Sequence, residues 1–87
     1  MHLSIYGVVQ GVSFRYYAVE QANRLNLSGY VKNQSDGSVE ITAEGNKNNL
    51  LALISWCKQG PPAASIDKVN IVWQEPQNNL NNFNIIY

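Results

Sequence analysis

The apolar side chains of this chain change their spacing in a fixed order, and that order admits few folds. Leu3 and Ile5, continued through Gly7 and closed by Val8 and Val9, follow the period of two that marks a strand. From Phe14 the recurrence lengthens, and Phe14, Ala18, Ala22 and Leu25 fall on one helical face. Ser13 stands just before them, where an N-cap is expected, and Glu20 and Arg24 make a favourable i,i+4 pair on the outer face. Asn26, Ser28 and Gly29 concentrate turn chemistry and predict the helix end. Tyr30 to Gln34 and Ser38 to Ala43 then read as two strands, joined by a turn whose Asp36-Gly37 pair suits a tight antiparallel hairpin. Asn46 predicts the N-cap of a second helix, with Leu50, Leu53, Ile54 and Cys57 along its apolar stripe and Gly60-Pro61-Pro62 as its stop. Val69, Ile71 and Trp73 alternate in a fourth strand. A Pro- and Asn-rich connection leads into a short last strand from Phe83 to Tyr87, with several asparagines clustered in Asn78–Asn84.

The order β-α-β-β-α-β plus a short C-terminal strand predicts an α+β fold of the ferredoxin-like split β-α-β kind. Its sheet is expected to be antiparallel-dominated, with two helices on one face. A length of 87 residues holds one such core, so residues 1–87 are expected to form a single domain. Cys57 is the sole cysteine, which excludes an intrachain disulfide and leaves the core to stabilise the chain, as suits a reducing, cytoplasmic setting. No stretch approaches 18 apolar residues, so no membrane association is expected. Six basic residues balance six acidic ones, which argues against a nucleic-acid backbone or an anionic membrane as main partner. RNA-recognition domains share this fold, but their third strand carries stacking aromatics and basic residues. Here Ser38 to Ala43 is acidic and has no aromatic residue.

Chemistry concentrates in Gly7-Val8-Val9-Gln10-Gly11-Val12-Ser13-Phe14-Arg15. This segment sets a glycine-containing turn between a strand and a helix, with an arginine in the first helical turn. The N–H groups at a helix start lack intrahelical partners and lie at the positive end of the helix dipole. A loop curling into that end can aim several donors at one anion, and Arg15 adds a planar cationic fork able to grip two phosphoryl oxygens. From spacing alone, the same segment also reads as an ordinary strand-turn-helix with a surface arginine.

Four collinear blocks resemble one known family. Val9-Gln10-Gly11-Val12-Ser13-Phe14-Arg15 resembles the VQGVxFR signature of the acylphosphatases. Gly29-Tyr30-Val31-Lys32-Asn33 is similar to the family's GWVxN segment, and Asp36-Gly37-Ser38-Val39-Glu40 to its DGxVE. Gly60-Pro61-Pro62-Ala63-Ala64, followed by Ile66-Asp67-Lys68-Val69, is similar to its GPPxAxVxxV stretch. The resemblance implies a ferredoxin-like fold and hydrolysis of the carboxyl–phosphate bond of acyl phosphates, releasing inorganic phosphate. It assigns phosphate binding to Arg15 and orientation of the attacking water to Asn33. The turn from Gln10 to Phe14 (Gln10, Gly11, Val12, Ser13 and Phe14) becomes the backbone cradle. Tyr30 stands where the family usually has tryptophan, a packing change, and Ser13 occupies a variable position. Such domains also begin larger carbamoyl-transferring maturation proteins, but the sequence favours a free-standing, monomeric enzyme acting on a small molecule.

The chemistry agrees independently. An acyl phosphate expels a carboxylate whose conjugate acid has a pKa of about 4–5, so departure needs no general acid. Positioning and stabilisation of phosphoryl charge then suffice, and no metal or cofactor is expected. His2 lies outside every motif. Cys57 reads as a buried small hydrophobe, Asp36 as a turn residue, and Glu40 and Glu44 have no evident partner for a carboxylate dyad. No His, Cys or Asp spacing suggests a metal site.

Overall fold

A computed structural model of the chain describes residues 1–78 and 80–87. Of the Asn-rich connection, Asn79 therefore lies outside the described residues. The elements follow in the order β1 (His2–Val8), α1 (Phe14–Arg24), β2 (Ser28–Asn33), β3 (Val39–Glu44), α2 (Lys47–Gln59), β4 (Ser65–Val72) and β5 (Phe83–Ile86). The five strands form one sheet in the spatial order β4-β1-β3-β2-β5. Three of its pairings are antiparallel, and β5 joins β2 in parallel at the edge.

Parity along the strands decides which side chains meet. Leu3 faces Ile41, Ile5 faces Val39, and Val31 faces Ile41 across the ladders. All five are fully buried, so one sheet face is apolar and covered. Phe14, Ala18 and Ala22 of α1 join the same cluster as Leu50, Leu53, Ile54 and Cys57 of α2, which places both helices on that face. The other parity carries His2, Ser4 and Tyr6 on β1 and Glu40 and Thr42 on β3. On this open face His2 Nε2 lies 2.8 Å from Glu40 Oε1, and Gln34 Nε2 donates to Glu40 Oε2.

Several element ends differ from the sequence reading, each for a local reason. Asn26 adopts a left-handed φ of 55° and Leu27 N–H donates to Ala22 O at 2.9 Å, closing α1 and letting β2 begin at Ser28, two residues before Tyr30. Strand β4 starts at Ser65 because β1 pairs with it from Val8 onward, and it stops at Val72. Trp73 therefore lies beyond the strand, its ring 5.7 Å from Lys47 Nζ. Asn46 does cap α2, accepting from Asn48 N–H at 2.8 Å. Ser13 does not cap α1: its φ of 62° and ψ of 22° turn it left-handed, and its hydroxyl makes no capping bond.

The path of β1 into the following loop depends on Gly7. The ladder with β4 shifts register between Tyr6 and Gly7, and φ at Gly7 is 133°. A Cβ there would meet Ser65 O at 2.1 Å, so a larger residue would part the strands.

Candidate active site

The loop between β1 and α1 is where backbone geometry leaves the ordinary. Gly11 (φ 74°) and Ser13 (φ 62°) are both left-handed, with Val12 between them at negative φ. Alternating signs of φ turn successive N–H groups toward one point, the arrangement of an anion-binding nest. For Ser13, a residue with a Cβ, this conformation costs on the order of 1 kcal/mol, and such strain clusters at functional loops. Gly11 meets no atom within 4 Å of a built Cβ, so the space over it is open. Among the described residues, none of the N–H groups from Gly11 to Arg15 donates to another group of the chain. The first bond of the helix start is Tyr17 N–H to Ser13 O at 3.2 Å. Five consecutive donors at the positive end of α1 are thus without a partner among the described residues.

Side chains fix this loop from two directions. Phe14 is fully buried and packs against Trp56, ring centroids 5.2 Å apart, which anchors the first helical residue in the core. Val12 packs more loosely against the same core. Gln10 reaches the opposite way: its Nε2 donates to Gln34 O at 2.8 Å and to Ser38 O at 2.9 Å, clamping the loop to the β2–β3 turn. Sequence reasoning assigned Gln10 only a backbone part in the cradle. Its clamp was hidden because the two acceptors lie 24 and 28 residues downstream.

Arg15 and Asn33 converge on one cleft of about 430 Å³, lined also by Val9, Gly11, Ser13, Phe14 and Tyr16 and by Ile85 and Tyr87 from the last strand. Arg15 is the second residue of α1, and no residue of that first turn is acidic. Among the described residues no carboxylate pairs with it, and Tyr87 stacks on its guanidinium with Cζ 5.0 Å from the ring centroid. Placing a cation in the first turn of a helix opposes the dipole by about 0.3–1 kcal/mol, which the chain bears where an anion would repay it. Asn33 ends β2 on the inward parity of Val31 and pairs across the ladder with Val39. Its Oδ1 is buried and receives no hydrogen bond from the described residues. An orphaned acceptor of this kind costs about 1–3 kcal/mol and calls for a donor from outside.

A second cleft of about 420 Å³ lies on the open sheet face, but Glu40 contributes to it, and a carboxylate repels phosphate. The remaining sequence candidates fall outside the cleft. Asp36 Oδ1 accepts from Ser38 N at 2.9 Å and Ser38 Oγ at 2.6 Å, a turn function that holds its carboxyl below the usual value of 3.8. Cys57 is fully buried, and desolvation pushes its thiol up to about 12, leaving it inert. Among the described residues no three of His, Cys, Asp and Glu gather as a metal would require.

Comparison with known proteins identifies the family. The acylphosphatase family model matches residues 1–85. An acylphosphatase of Thermococcus kodakarensis is 44% identical over 85 residues, spanning 98% of this chain and 92% of the relative. The crystal structure of acylphosphatase from Bacillus subtilis superposes with a TM-score of 0.95 at 35% identity, covering 99% of this chain and 96% of that one. The structure of T. kodakarensis HypF matches with a TM-score of 0.85 at 34% identity, through only 11% of its own length. On the strength of a match that runs nearly end to end, the chain belongs to the acylphosphatase family.

Proposed function

We propose that this chain hydrolyses acyl phosphates by direct attack of water on phosphorus, with Arg15 and the 10–15 loop holding the phosphoryl group and Asn33 holding the water. The observation that carries the reading is the shared cleft: free amides and a guanidinium at one end, and a buried carboxamide oxygen without a donor beside them. The phosphoryl oxygens sit among the N–H groups of Gly11 to Arg15, with the guanidinium on two of them. Water donates to Asn33 Oδ1 while the carboxamide N–H₂ donates toward a phosphoryl oxygen, which keeps the nucleophile in line.

The water oxygen forms the new bond to phosphorus as the bond from phosphorus to the acyl oxygen breaks. The carboxylate leaves with that electron pair, and both water hydrogens end on the phosphate. Catalysis is then charge stabilisation by preorganised donors, for which the dipole of α1 and the fixed loop are suited. The carboxylate leaves unaided, so the step requires neither a general acid nor a metal ion. Every group invoked comes from residues 10–33 of one chain, consistent with a single domain of residues 1–87 working as a monomer on a small molecule.

The test is hydrolysis of acetyl phosphate beside 4-nitrophenyl phosphate, each with and without EDTA. The reading expects chelator-insensitive turnover of the first, none of the second, and competitive inhibition by inorganic phosphate. Turnover restored only by added metal, or monoester cleavage at a comparable rate, would contradict it.

A further inference from the structure

At the end of the sheet away from the cleft, the main chain again turns successive N–H groups toward an anion, and there the chain supplies the anion itself. Asn78 is left-handed at φ 59° and follows Gln77 at negative φ, so their N–H groups point to one side. Both donate to the Glu44 carboxylate, Gln77 N to Oε2 at 2.6 Å and Asn78 N to Oε1 at 3.3 Å. Glu44 is the last residue of β3, the central strand of the sheet. The connection 73–82 must cross from the β4 edge to the β5 edge, about 19 Å for four strand spacings. Glu44 holds it midway, and Gly29 N–H, donating to Asn82 O at 2.8 Å, holds it again where β5 begins. Strand β5 has four residues and pairs on one side only, with β2, so its docking depends on how firmly the connection delivers it.

From this arrangement we infer that Glu44 is a positioning residue for phosphate binding, acting through β5 and Tyr87 on Arg15. The inference rests on the reading above only in taking Arg15 as the cation that grips phosphate. Glu44 pairs with Ser28 at the start of β2, whereas Asn33 ends β2 at the cleft, so carboxylate and cleft lie at opposite ends of the sheet. Strand β5, running parallel to β2, spans the distance, about 13 Å for its four residues. The pinned connection sets where β5 starts, and the other end of β5 delivers Ile85 and Tyr87 to the cleft. Tyr87 is 91% exposed, so the path of the β5 backbone, not a packed pocket, decides where its ring lies. The ring stacks on the face of the Arg15 guanidinium and leaves the edge N–H groups to the phosphoryl oxygens. A guanidinium already held by stacking loses less freedom when phosphate arrives, which strengthens binding.

The experiment measures the Kd of inorganic phosphate by ¹H–¹⁵N NMR titration, together with amide hydrogen exchange, in the wild type, Glu44→Ala, Tyr87→Ala and the double variant. Both N–H donors held by Glu44 are exposed, so water takes them over in Glu44→Ala and the fold persists. Glu44→Gln, which keeps one acceptor oxygen, gives the same readouts at smaller amplitude should the alanine variant fail to fold. In Glu44→Ala, the β5 amides bonded to β2 should exchange about tenfold faster, while those between β1 and β3 stay within about twofold. The phosphate Kd should rise about threefold in each single variant and again only about threefold in the double variant, because both substitutions remove one contact. The KM for acetyl phosphate should follow the Kd in Glu44→Ala, with kcat within about twofold of wild type. A roughly ninefold rise in the double variant, an unchanged Kd in Glu44→Ala, or exchange accelerated equally across the sheet would overturn the positioning role. Absence of acetyl phosphate turnover in the wild type, with the phosphate results as expected, would overturn the hydrolysis reading and leave the positioning role standing.

Discussion

Replacing Gln10 by alanine removes the clamp between the phosphate loop and the β2–β3 turn, and its consequences can be worked through from the bonds it makes. Two hydrogen bonds are lost, at 2.8 and 2.9 Å. Neither acceptor is orphaned: Gln34 O keeps the N–H of Gly37 and Ser38 O keeps that of Gln34. The cost is therefore the ordinary net value of about 0.5–1.5 kcal/mol per bond, roughly 2 kcal/mol together, with no added penalty for stranded carbonyls. For a domain of this size that corresponds to a fall in Tm of about 8–16 °C. The catalytic effect has a different origin. Arg15 and the free amides stay together on one loop, so phosphate inhibition should weaken by no more than about threefold. What shifts is the loop relative to Asn33, and a misplacement near 1 Å costs about 10²-fold, so kcat for acetyl phosphate should fall by about one to two orders of magnitude. Thermal unfolding by circular dichroism and steady-state kinetics with phosphate inhibition read both effects. A Tm within 2 °C of wild type (well under the roughly 4 °C per kcal/mol minimum) together with an unchanged kcat would refute the positioning role of Gln10.

The remaining predictions concern other parts of the molecule. Arg15→Ala should lower kcat/KM by about 10³-fold or more and abolish phosphate inhibition. It should move stability by no more than about 0.5 kcal/mol, because the guanidinium sits against the helix dipole; urea unfolding checks this. Asn33→Ala should reduce kcat by about 10²-fold with phosphate inhibition nearly unchanged, and the reverse pattern would assign Asn33 to phosphate binding instead. Asp36 is held below its ordinary value, first by the Ser38 hydroxyl and then by the Ser38 N–H. Its contribution to stability is thus complete above that ordinary value and lost as pH falls through the lowered one, so Asp36→Asn should flatten the acid limb of a plot of Tm against pH. Cys57 should resist iodoacetamide in the native protein at pH 8 and react on denaturation, read by mass spectrometry; rapid native labelling would contradict its burial.

How much of this was legible in the sequence follows from the range of the interactions concerned. Element order and core faces depend on local periodicity, and Leu3, Ile5, Val31, Val39 and Ile41 fall where alternation puts them. Asn33 was legible only through the family resemblance; its place on the inward parity, two residues beyond buried Val31, is a finding of the structure. Ser13 misled because its residue type suits an N-cap, whereas the loop requires a left-handed backbone that turns its side chain away from the helix end. The Gln10 clamp and the His2–Glu40 pair were invisible because each spans 24 residues or more and depends on strand register. The part of Ile85 and Tyr87 in the cleft was hidden for a topological reason: the parallel docking of β5 on β2 brings them beside a loop some 70 residues earlier.

The central claim is that phosphate is bound by the main chain of the loop between β1 and α1. A titration with inorganic phosphate followed by ¹H–¹⁵N correlation NMR tests it directly. The account predicts saturable shifts that are largest at the amides of Gly11, Val12, Ser13, Phe14 and Arg15, with the Asn33 side-chain amide moving alongside. Shifts centred instead on His2, Tyr30 and Glu40 of the open sheet face, or none that saturate, would contradict it.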